Sequence, residues 1–515
     1  MSEIEILEQT LWKSANKLRG NVAYSEYRPL ILGLVFLKYA GYVFEQQKNK
    51  LIEEGFEEYI ENPSFYIQDR VFYLPPKSRW DYIVTNTKES GLAKKIDDAF
   101  KNIEKSNESL KGALPRQYYV RLELENEKLS SLIDTIENNI KPEKYPDEDI
   151  FGRIYEYFLS KFAEKENKGE FYTPKSIVNL IAEIIEPYDG KIYDPCCGSG
   201  GMFVQSLEFV KHHNGNSKNI SIYGQEAITS TRKIALMNLA IRGLTGKLGE
   251  RAADTFLNDL HKGEEYEYIM ANPPFNLDDW REEKQLVNDE RWSGYEIPPT
   301  SNANYAWILH MLSKLTPDGI AGFLLSNGSV TAKGVEYKIR KELIENDVIE
   351  AIITLPNKLF YSTNIGVTLW IMNKNKNKRT ITKMDKVINY RDRKNEILFL
   401  DLRQMGQPYQ KKYVELVPDE RKKVTETIHN WQQNKEKYED IAEYCYSANI
   451  EEIRKNNYSL QPSQYIEFLS NEDNTDFDIE FNKISNELLE LENKKDKNSK
   501  TIKNLIEEIR NELHL

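Results

Sequence analysis

The chain has 515 residues, of which 30% are charged and 40% hydrophobic, as in a soluble globular protein. This length allows two to four domains with buried cores. Three cysteines, two of them adjacent at Cys196 and Cys197, exclude a disulfide framework and structural zinc spacing. The start lacks signal-peptide features, and the longest apolar stretch, Leu30–Phe44, is too short to span a bilayer. We therefore expect a cytoplasmic protein without a membrane segment.

The formal net charge of −12 bears on any interaction with nucleic acid. Neutralisation of the phosphates supplies much of the affinity of proteins for DNA. A protein that binds DNA without a partner therefore usually carries a basic surface. An acidic chain either does not act on DNA or shares the binding with a partner.

Residues 1–145 are predicted to form a helical domain. Apolar residues recur at helical spacing near its start, at Ile6, Leu7, Leu11 and Trp12. Further helices are expected at Leu30–Phe44, Leu92–Lys105 and Leu122–Ile140. The segment 141–149, rich in charge and with two prolines, predicts the boundary of this domain.

From residue 150 to about residue 374, short apolar runs alternate with helical stretches. This alternation predicts βαβ units around a parallel sheet, and hence an α/β fold. Strands are expected at Lys191–Tyr193, Ile220–Tyr223, Tyr268–Ala271, Ile320–Leu325, Ile349–Thr354 and Val367–Met372, with a weaker one before Asp254.

The third of these strands ends abruptly at Asn272-Pro273-Pro274-Phe275. Each proline lacks an N–H and fixes φ, so the strand presents Asn272 at its carboxyl edge, where ligands bind in open α/β sheets. The Asn carbonyl and the rigid Pro-Pro backbone can both accept hydrogen bonds from one planar amino group, while Phe275 stacks on its ring. That arrangement suits methylation of an exocyclic amine. A strand-ending turn explains these four residues about equally well.

The first strand leads into Asp194-Pro195-Cys196-Cys197-Gly198-Ser199-Gly200-Gly201. Glycines let the backbone approach a ligand, and the following helix start offers free N–H groups. Asp194 would repel a pyrophosphate but suits the amino group of a methionine moiety. Glu226, at the end of the next strand, is placed to accept both hydroxyls of a ribose. Together these residues indicate an S-adenosylmethionine pocket rather than a turn and a surface glutamate.

Two further segments are weaker signals. Asp254-Thr255 is expected at the end of the weaker strand that precedes it, near the adenine of the cofactor, although a capping aspartate explains it equally well. Gly169–Pro174 precedes a helix from Lys175, in which Thr173 is a fair N-cap and Pro174 a fair first residue. That explanation leaves Phe171-Tyr172 unaccounted for.

Five motifs follow one another along the chain: Phe171–Pro174, Asp194–Gly201, Gln225-Glu226, Asp254-Thr255 and Asn272–Phe275. Their order resembles that of the N6-adenine DNA methyltransferases, and more narrowly that of the modification subunits of type I restriction-modification systems. The likeness covers nearly the whole chain. It extends to Leu11–Lys13, Lys17–Gly20, Leu32–Tyr39, Asn302–Trp307, Leu355–Tyr361, Phe399–Arg403 and Asn457–Leu460 with Pro462.

The resemblance implies a Rossmann-like methyltransferase sheet at 146–410, between the N-terminal helical domain and a C-terminal helical region at 411–515. It implies that Asn272, Pro273, Pro274 and Phe275 form the catalytic motif for a flipped adenine. It assigns S-adenosylmethionine to Glu170, Phe171, Tyr172, Thr173, Asp194, Gly198, Ser199, Gly200, Glu226 and Asp254. Methyl transfer would be direct, without a metal or a covalent intermediate, and Cys196-Cys197 would be small packed residues.

The tail from Ile479 carries two apolar stripes, separated by a polar run at Asn493–Lys500 that allows a hinge or hairpin. Such stripes pack on their own domain or on a partner's helix. The resemblance implies docking on a specificity subunit, with two modification subunits per specificity subunit and with or without a restriction subunit. A partner of this kind resolves the conflict between an acidic chain and a DNA substrate.

Three other functions share features with this sequence. A stand-alone adenine methyltransferase would need its own target-recognition domain, and no insertion of adequate size is evident. A protein-glutamine methyltransferase also uses Asn-Pro-Pro, but typically with Tyr next and in a much smaller chain. A non-enzymatic assembly subunit would not need Asn272–Phe275 or Glu226 intact.

Overall fold

The computed structural model describes residues 3–20, 23–145, 149–164, 173–213, 215–216, 219–360, 365–383, 386–409, 413–469 and 477–512. The chain divides into two compact units, Met1–Glu467 and Phe468–Leu515. No helix among the described residues combines the length and apolar character needed to cross a membrane.

The larger unit begins with helices and continues as an α/β structure. Its α-helices are α1 Glu3–Arg19, α2 Tyr24–Glu53, α3 Ser64–Ile67, α4 Trp80–Thr85, α5 Leu92–Ser106, α6 Tyr118–Arg121, α7 Asn126–Asn139, α8 Ile150–Ala163, α9 Lys175–Ile185, α10 Gly201–His212, α11 Thr229–Ala240, α12 Asn304–Lys314, α13 Val335–Glu345, α14 Pro418–Gln433 and α15 Ile450–Lys455. The smaller unit contains α16, Phe477–Glu512.

The strands are β1 Gly190–Asp194, β2 Ile220–Gly224, β3 Gly246–Lys247, β4 Tyr266–Ala271, β5 Leu315–Ser326, β6 Ile349–Thr354, β7 Val367–Asn373, β8 Arg379–Lys383, β9 Lys386–Tyr390, β10 Glu396–Asp401, β11 Gln407–Tyr409, β12 Tyr413–Glu415 and β13 Cys445–Asn449. Nine of them form one sheet in the order β13-β10-β6-β7-β5-β4-β1-β2-β3. The pairs β8-β9 and β11-β12 form separate two-stranded sheets.

The six strands expected from apolar runs are all present, but the sheet is mixed rather than parallel. Strand β7 pairs antiparallel with both β5 and β6. A parallel connection needs a crossover of a dozen or more residues, usually a helix. The described part of the connection between β6 and β7, at 355–360 and 365–366, contains no helix, and an antiparallel return follows.

The sheet continues well past residue 374. Strand β10 pairs in parallel with β6, and β13 pairs antiparallel with β10. The region 411–515, expected to be helical, therefore contributes a strand to the main sheet. The limits of the functional domains remain a prediction.

Helices cover both faces of this sheet, as in a three-layer α/β/α structure. One core includes residues of α9, α10 and α14, among them Ile181, Phe203 and Trp431. The core on the opposite face includes residues of α12, α13 and α15, among them Tyr305, Ile339 and Ile453. Both faces of the strands are buried as a result: every residue of β6 and β7 is buried, and most of them are apolar.

The N-terminal helices pack directly against the α/β part of the chain. Their core contains residues of α8, Ile234, Met237 and Ala240 of α11, and Ile241 just after that helix. Polar contacts join the same surfaces: Tyr155 Oη donates to the Ile234 carbonyl at 3.0 Å, and Lys233 Nζ donates to the Leu114 carbonyl at 3.1 Å. Helix α11 is therefore shared between the helical region and the sheet.

Two lysines of the basic run at 373–379 are paired within the chain, whereas Lys378 is exposed. Lys376 is 3% exposed, forms an ion pair with Asp347 at 2.5 Å and donates to the carbonyls of Ile349 and Glu396. Lys374 donates to the Leu315 carbonyl at 2.5 Å. Neither lysine is therefore presented to a phosphate.

Helix α16 runs without interruption through Asn493–Lys500, so the expected hinge or hairpin is absent from the described tail. Several large apolar side chains on it are more than half exposed within the chain, including Ile484, Leu488, Leu491, Ile502 and Leu505.

Candidate active site

The loop after β1 brings glycine backbone to the carboxyl edge of the sheet. Strand β1 lies between β2 and β4 and pairs with both in parallel, so the three strands end at the same edge. Gly198 and Gly200 have φ values of 53° and 80°, a region that favours glycine, and Gly200 is the N-cap of α10. A Cβ added at Gly198 would meet no atom within 4 Å, so this position faces open space. The loop thus leaves room for a ligand against its backbone.

Glu226 connects the loops that follow β1 and β2. Its Oε2 accepts a hydrogen bond from the Gly198 amide at 3.0 Å, and its Oε1 accepts one from the Ile228 amide at 2.8 Å. The backbone adds to this connection, since the Cys197 amide donates to the Gln225 carbonyl at 2.9 Å. The carboxylate is therefore held in place on the wall of the cavity at this edge.

Asp254 has the capping role expected for it, while its place near the adenine of the cofactor stays a prediction. Its Oδ1 accepts hydrogen bonds from the amides of Phe256 and Leu257 at 2.9 and 2.8 Å, as in a capping turn, and the residue also lines the cavity. Its neighbour Thr255 donates through Oγ1 to the Pro195 carbonyl at 2.5 Å. That contact ties this turn to the loop after β1.

Asp194 is 2% exposed, and its carboxylate accepts a hydrogen bond from the Cys196 amide at 3.0 Å. Burial raises the pKa of Asp194 to about 7, with a smaller contribution from the charge of Glu226. A nearby cation would offset this cost by favouring the ionised form. Burial also raises the pKa of Cys197 well above its usual value, and Cys197 packs in the core. The Cys197 thiol is therefore protonated.

Asn272 follows β4 directly, and its two side-chain atoms differ in their surroundings. Nδ2 donates a hydrogen bond to Thr173 Oγ1 at 2.8 Å. Oδ1 is buried and accepts no hydrogen bond from any described residue. An unsatisfied buried acceptor is costly, and a ligand that donates a hydrogen bond would satisfy it.

Thr173 does not cap α9, contrary to the local explanation of its sequence. The N-cap of α9 is Pro174, without a side-chain capping bond, and the helix begins at Lys175. The hydroxyl of Thr173 instead accepts the hydrogen bond from Asn272 described above. A tertiary contact therefore replaces the local one.

The loop after Phe275 is fixed by a network of amides. Asn276, with a φ of 53°, donates through its backbone amide to Asn304 Oδ1 at 3.0 Å, and its Oδ1 accepts from Asn304 Nδ2 at 2.8 Å. The Ser326 hydroxyl donates to the same Oδ1 at 2.8 Å. Phe275 is half-buried and lies edge-on to Phe360, with ring centroids 6.1 Å apart.

A cavity of about 260 Å³ lies at this edge and brings together six of the residues singled out from the sequence, namely Gly198, Ser199, Glu226, Asp254, Asn272 and Pro274. Asp194, Gly200, Pro273 and Phe275 lie in the adjoining segments and do not line it. Thr173 lines a small adjoining space together with Ser199. Glu170, Phe171 and Tyr172 lie outside the described residues. A larger cleft of about 1190 Å³, lined by residues such as Asp259 and Lys314, contains none of the predicted site residues.

Sequence reasoning missed part of the wall of this cavity. The N-terminal helices contribute Arg28, Leu159 and Ala163, which no local motif marks as ligand-binding. Trp307 also lines the cavity, and its buried Nε1 donates to no described residue. In the sequence, the only signal for Trp307 is the resemblance of the segment Asn302–Trp307 to the modification subunits.

Comparisons with known proteins show the family of this chain. Residues 146–474 match the model of the N-6 DNA methylase family, and residues 7–136 match that of the HsdM N-terminal domain. The methylase subunit of the type I restriction enzyme HindI from Haemophilus influenzae is 41% identical over 78% of this chain and 91% of its own length. The MjaIX methylase subunit from Methanocaldococcus jannaschii is 33% identical over 97% of this chain and 91% of its own length. A type I methyltransferase subunit from Streptococcus thermophilus has a similar fold, with a TM-score of 0.74 and 23% identity over 90% of this chain and 100% of its own.

The fold and the family match identify the chain as an S-adenosylmethionine-dependent DNA methyltransferase that acts on the N6 amino group of adenine. Within that class, the chain belongs to the family of methylase subunits of type I restriction-modification systems. It transfers a methyl group from S-adenosylmethionine to adenine in DNA.

Proposed function

We propose that Asn272, Pro273, Pro274 and Phe275 hold the target adenine beside the cofactor cavity. The buried, unsatisfied Oδ1 of Asn272 is the observation that carries this assignment. Oδ1 and the Pro273 carbonyl accept hydrogen bonds from the two N–H groups of the adenine amine, and Phe275 stacks on the ring. Accepting both hydrogen bonds disfavours conjugation of the amine with the ring and places its lone pair toward the methyl donor. Alignment of the reactants then supplies most of the catalysis.

The polar groups that line the cavity suit S-adenosylmethionine. Glu226 and Asp254 line the cavity with carboxylates, the glycine loop leaves open space at Gly198, and Asp194 is buried at the start of that loop. We assign Asp194, Gly198, Ser199 and Gly200 to the methionine moiety, Glu226 to the ribose hydroxyls, and Asp254 to the adenine. When bound, the cofactor supplies an electrophilic methyl group on its sulfonium. For Glu170, Phe171 and Tyr172, the assignment to the methionine end rests on the resemblance alone. The hydroxyl of Thr173 accepts a hydrogen bond from Asn272, and we assign it to positioning that side chain rather than to the cofactor.

The proposed complex contains two copies of this chain and one specificity subunit, with or without a restriction subunit, and acts in the cytoplasm. The net charge of −12 supports a partner that carries much of the DNA contact. The exposed apolar side chains of α16 support docking of this helix on a helix of the specificity subunit.

The test is methyl transfer from labelled S-adenosylmethionine to DNA that lacks adenine methylation, with the nucleosides identified by mass spectrometry. The chain is assayed alone and co-expressed with the specificity protein. We expect N6-methyladenine in the co-expressed sample, its loss in Asn272→Ala, and its retention in Asn138→Ala, an exposed position on α7. Methylation by the chain alone contradicts the need for a specificity subunit. Full activity of Asn272→Ala contradicts the assignment of Asn272.

A further inference from the structure

The N-terminal helical region supplies part of the wall of the cofactor cavity. Arg28, on the first turns of α2, lines the cavity together with Leu159 and Ala163 of α8. Arg28 is 7% exposed, and its Nη2 lies 3.4 Å from Thr231 Oγ1, to which it donates a hydrogen bond. This contact joins positions 203 residues apart, so the fold, and not local sequence, brings the guanidinium to the site.

The charge of Arg28 sets it apart on this wall. Among the described residues that line the cavity, it is the only basic side chain, while Glu226 and Asp254 are acidic. A positively charged residue placed beside the sulfonium or the ammonium of the cofactor would weaken binding. If Arg28 contacts the cofactor, it therefore faces a part that is neutral or negative.

The neighbours of Arg28 place it toward one end of the cavity. Its partner Thr231 lies on α11, in the first turn after the Glu226–Ile228 segment. Glu226 is assigned to the ribose hydroxyls, so α11 begins beside the adenosine part of the cofactor. Adenine offers an aromatic face and ring-nitrogen acceptors, and a planar guanidinium can both stack on such a face and donate hydrogen bonds to such acceptors.

We propose that Arg28 is a cofactor-binding residue of the N-terminal helical region and that it contacts the adenosine moiety of S-adenosylmethionine. The inference rests on the assignment of this cavity to the cofactor. It has a structural consequence, because α11 is packed into the hydrophobic core of the N-terminal helices. The cofactor thus binds between two parts of the larger unit, and its binding stabilises their association.

The experiment measures binding of two ligands to the full chain by calorimetry. S-Adenosylmethionine carries the whole cofactor, whereas 5′-methylthioadenosine keeps the adenosine but lacks the amino and carboxylate groups. The variants are Arg28→Met and Arg28→Lys. The control is Arg121→Met, since Arg121 lies on the surface of the same helical region and forms an ion pair with Glu26 at 3.3 Å.

We expect Arg28→Met to weaken binding of both ligands about tenfold, the size of one lost charge-assisted hydrogen bond or stacking contact. Arg28→Lys should weaken both by a smaller factor, because an ammonium lacks the planar fork of the guanidinium. Arg121→Met should bind both like the unchanged chain. The lysine variant keeps the charge, and it decides the question if the methionine variant does not fold.

Three results would overturn the proposal. Undiminished binding of both ligands to the Arg28 variants shows that Arg28 does not contact the cofactor. Weaker binding of S-adenosylmethionine alone places Arg28 at the methionine carboxylate rather than at the adenosine. Failure of the unchanged chain to bind either ligand means that the cavity assignment itself is wrong, which is distinct from a failure of Arg28.

Discussion

The side-chain amide of Asn272 donates a hydrogen bond to the hydroxyl of Thr173 at 2.8 Å, across a sequence separation of 99 residues. Because Nδ2 is engaged in this bond, Oδ1 is the atom left for a ligand, and it accepts no hydrogen bond within the described chain. Thr173 therefore orients the side chain of Asn272. We propose that Oδ1 of this side chain accepts a hydrogen bond from the amine of the target adenine.

Replacing Thr173 by Val removes the acceptor while nearly keeping the side-chain volume. We expect kcat to fall about tenfold to a hundredfold, since misorientation of a positioned group affects the chemical step. The dissociation constant of S-adenosylmethionine should change little, and Thr173→Ser should restore most of kcat. The measurement is single-turnover methylation with parallel cofactor titration. A weaker cofactor affinity with unchanged kcat would instead place the Thr173 hydroxyl on the cofactor.

Asp194 predicts a pH dependence of both stability and cofactor binding. Burial raises its pKa to about 7 from an ordinary value near 3.8, so the folded ligand-free chain binds this proton more tightly than the unfolded chain. The contribution of Asp194 to folding is therefore most favourable below pH 3.8 and is lost as pH rises toward 7. If the carboxylate must be ionised to hold the methionine ammonium, cofactor affinity falls about tenfold per pH unit below 7.

The measurement is calorimetric titration of S-adenosylmethionine between pH 5.5 and 8.5, at about half-unit steps, in buffers of different ionisation enthalpy. At pH 6 binding should release close to one proton, and at pH 8 almost none. Asp194→Asn should bind weakly and without this proton release. Proton release that persists unchanged in Asp194→Asn assigns the titration to another group.

The contacts of Arg291 predict that it positions the loop that carries Asp254 and Thr255. It is 8% exposed, and its guanidinium donates to the carbonyls of Thr255 and Phe256 at 3.2 and 2.7 Å, while Asp289 holds it from the other side. Arg291→Lys keeps the charge but loses the fork that spans both carbonyls. We expect cofactor affinity to fall several-fold and the free energy of unfolding to fall by about 1–3 kcal/mol.

The matched control is Arg251→Lys, at an exposed position just before the same loop. Cofactor titration and chemical denaturation should show no change in this variant. Normal cofactor affinity in Arg291→Lys, together with reduced stability, would limit Arg291 to a purely structural role.

The exposed stripe of α16 predicts a docking surface that can be separated from catalysis. Leu488 and Leu491 are 61% and 62% exposed and lie on one face of the helix. Replacing both by Asp should abolish co-purification with the specificity subunit while leaving cofactor affinity unchanged. The control is Glu490→Lys, because Glu490 points away from Leu488 by about 200° around the helix. Retained co-purification of the double variant would show that this stripe is not the docking surface.

Local sequence determined much of the framework of this protein. The six apolar runs became strands because each is short, rich in β-branched or aromatic residues and bounded by turn-forming residues. The order of the glycine loop, Glu226, Asp254 and Asn272 was readable for the same reason: each follows a strand, and parallel strands end at a common edge. That edge then brought Gly198, Glu226, Asp254 and Asn272 to one cavity.

Only the tertiary structure decided the rest, since it depends on which distant segments meet. Strand β7 returns antiparallel, and β13 extends the sheet from a region with little strand signal. The hydroxyl of Thr173 bonds to Asn272 instead of capping α9. Arg28 lines the cavity because α2 packs on α11. Apolar periodicity reports which face of an element is buried, but it carries no information about the element that covers that face.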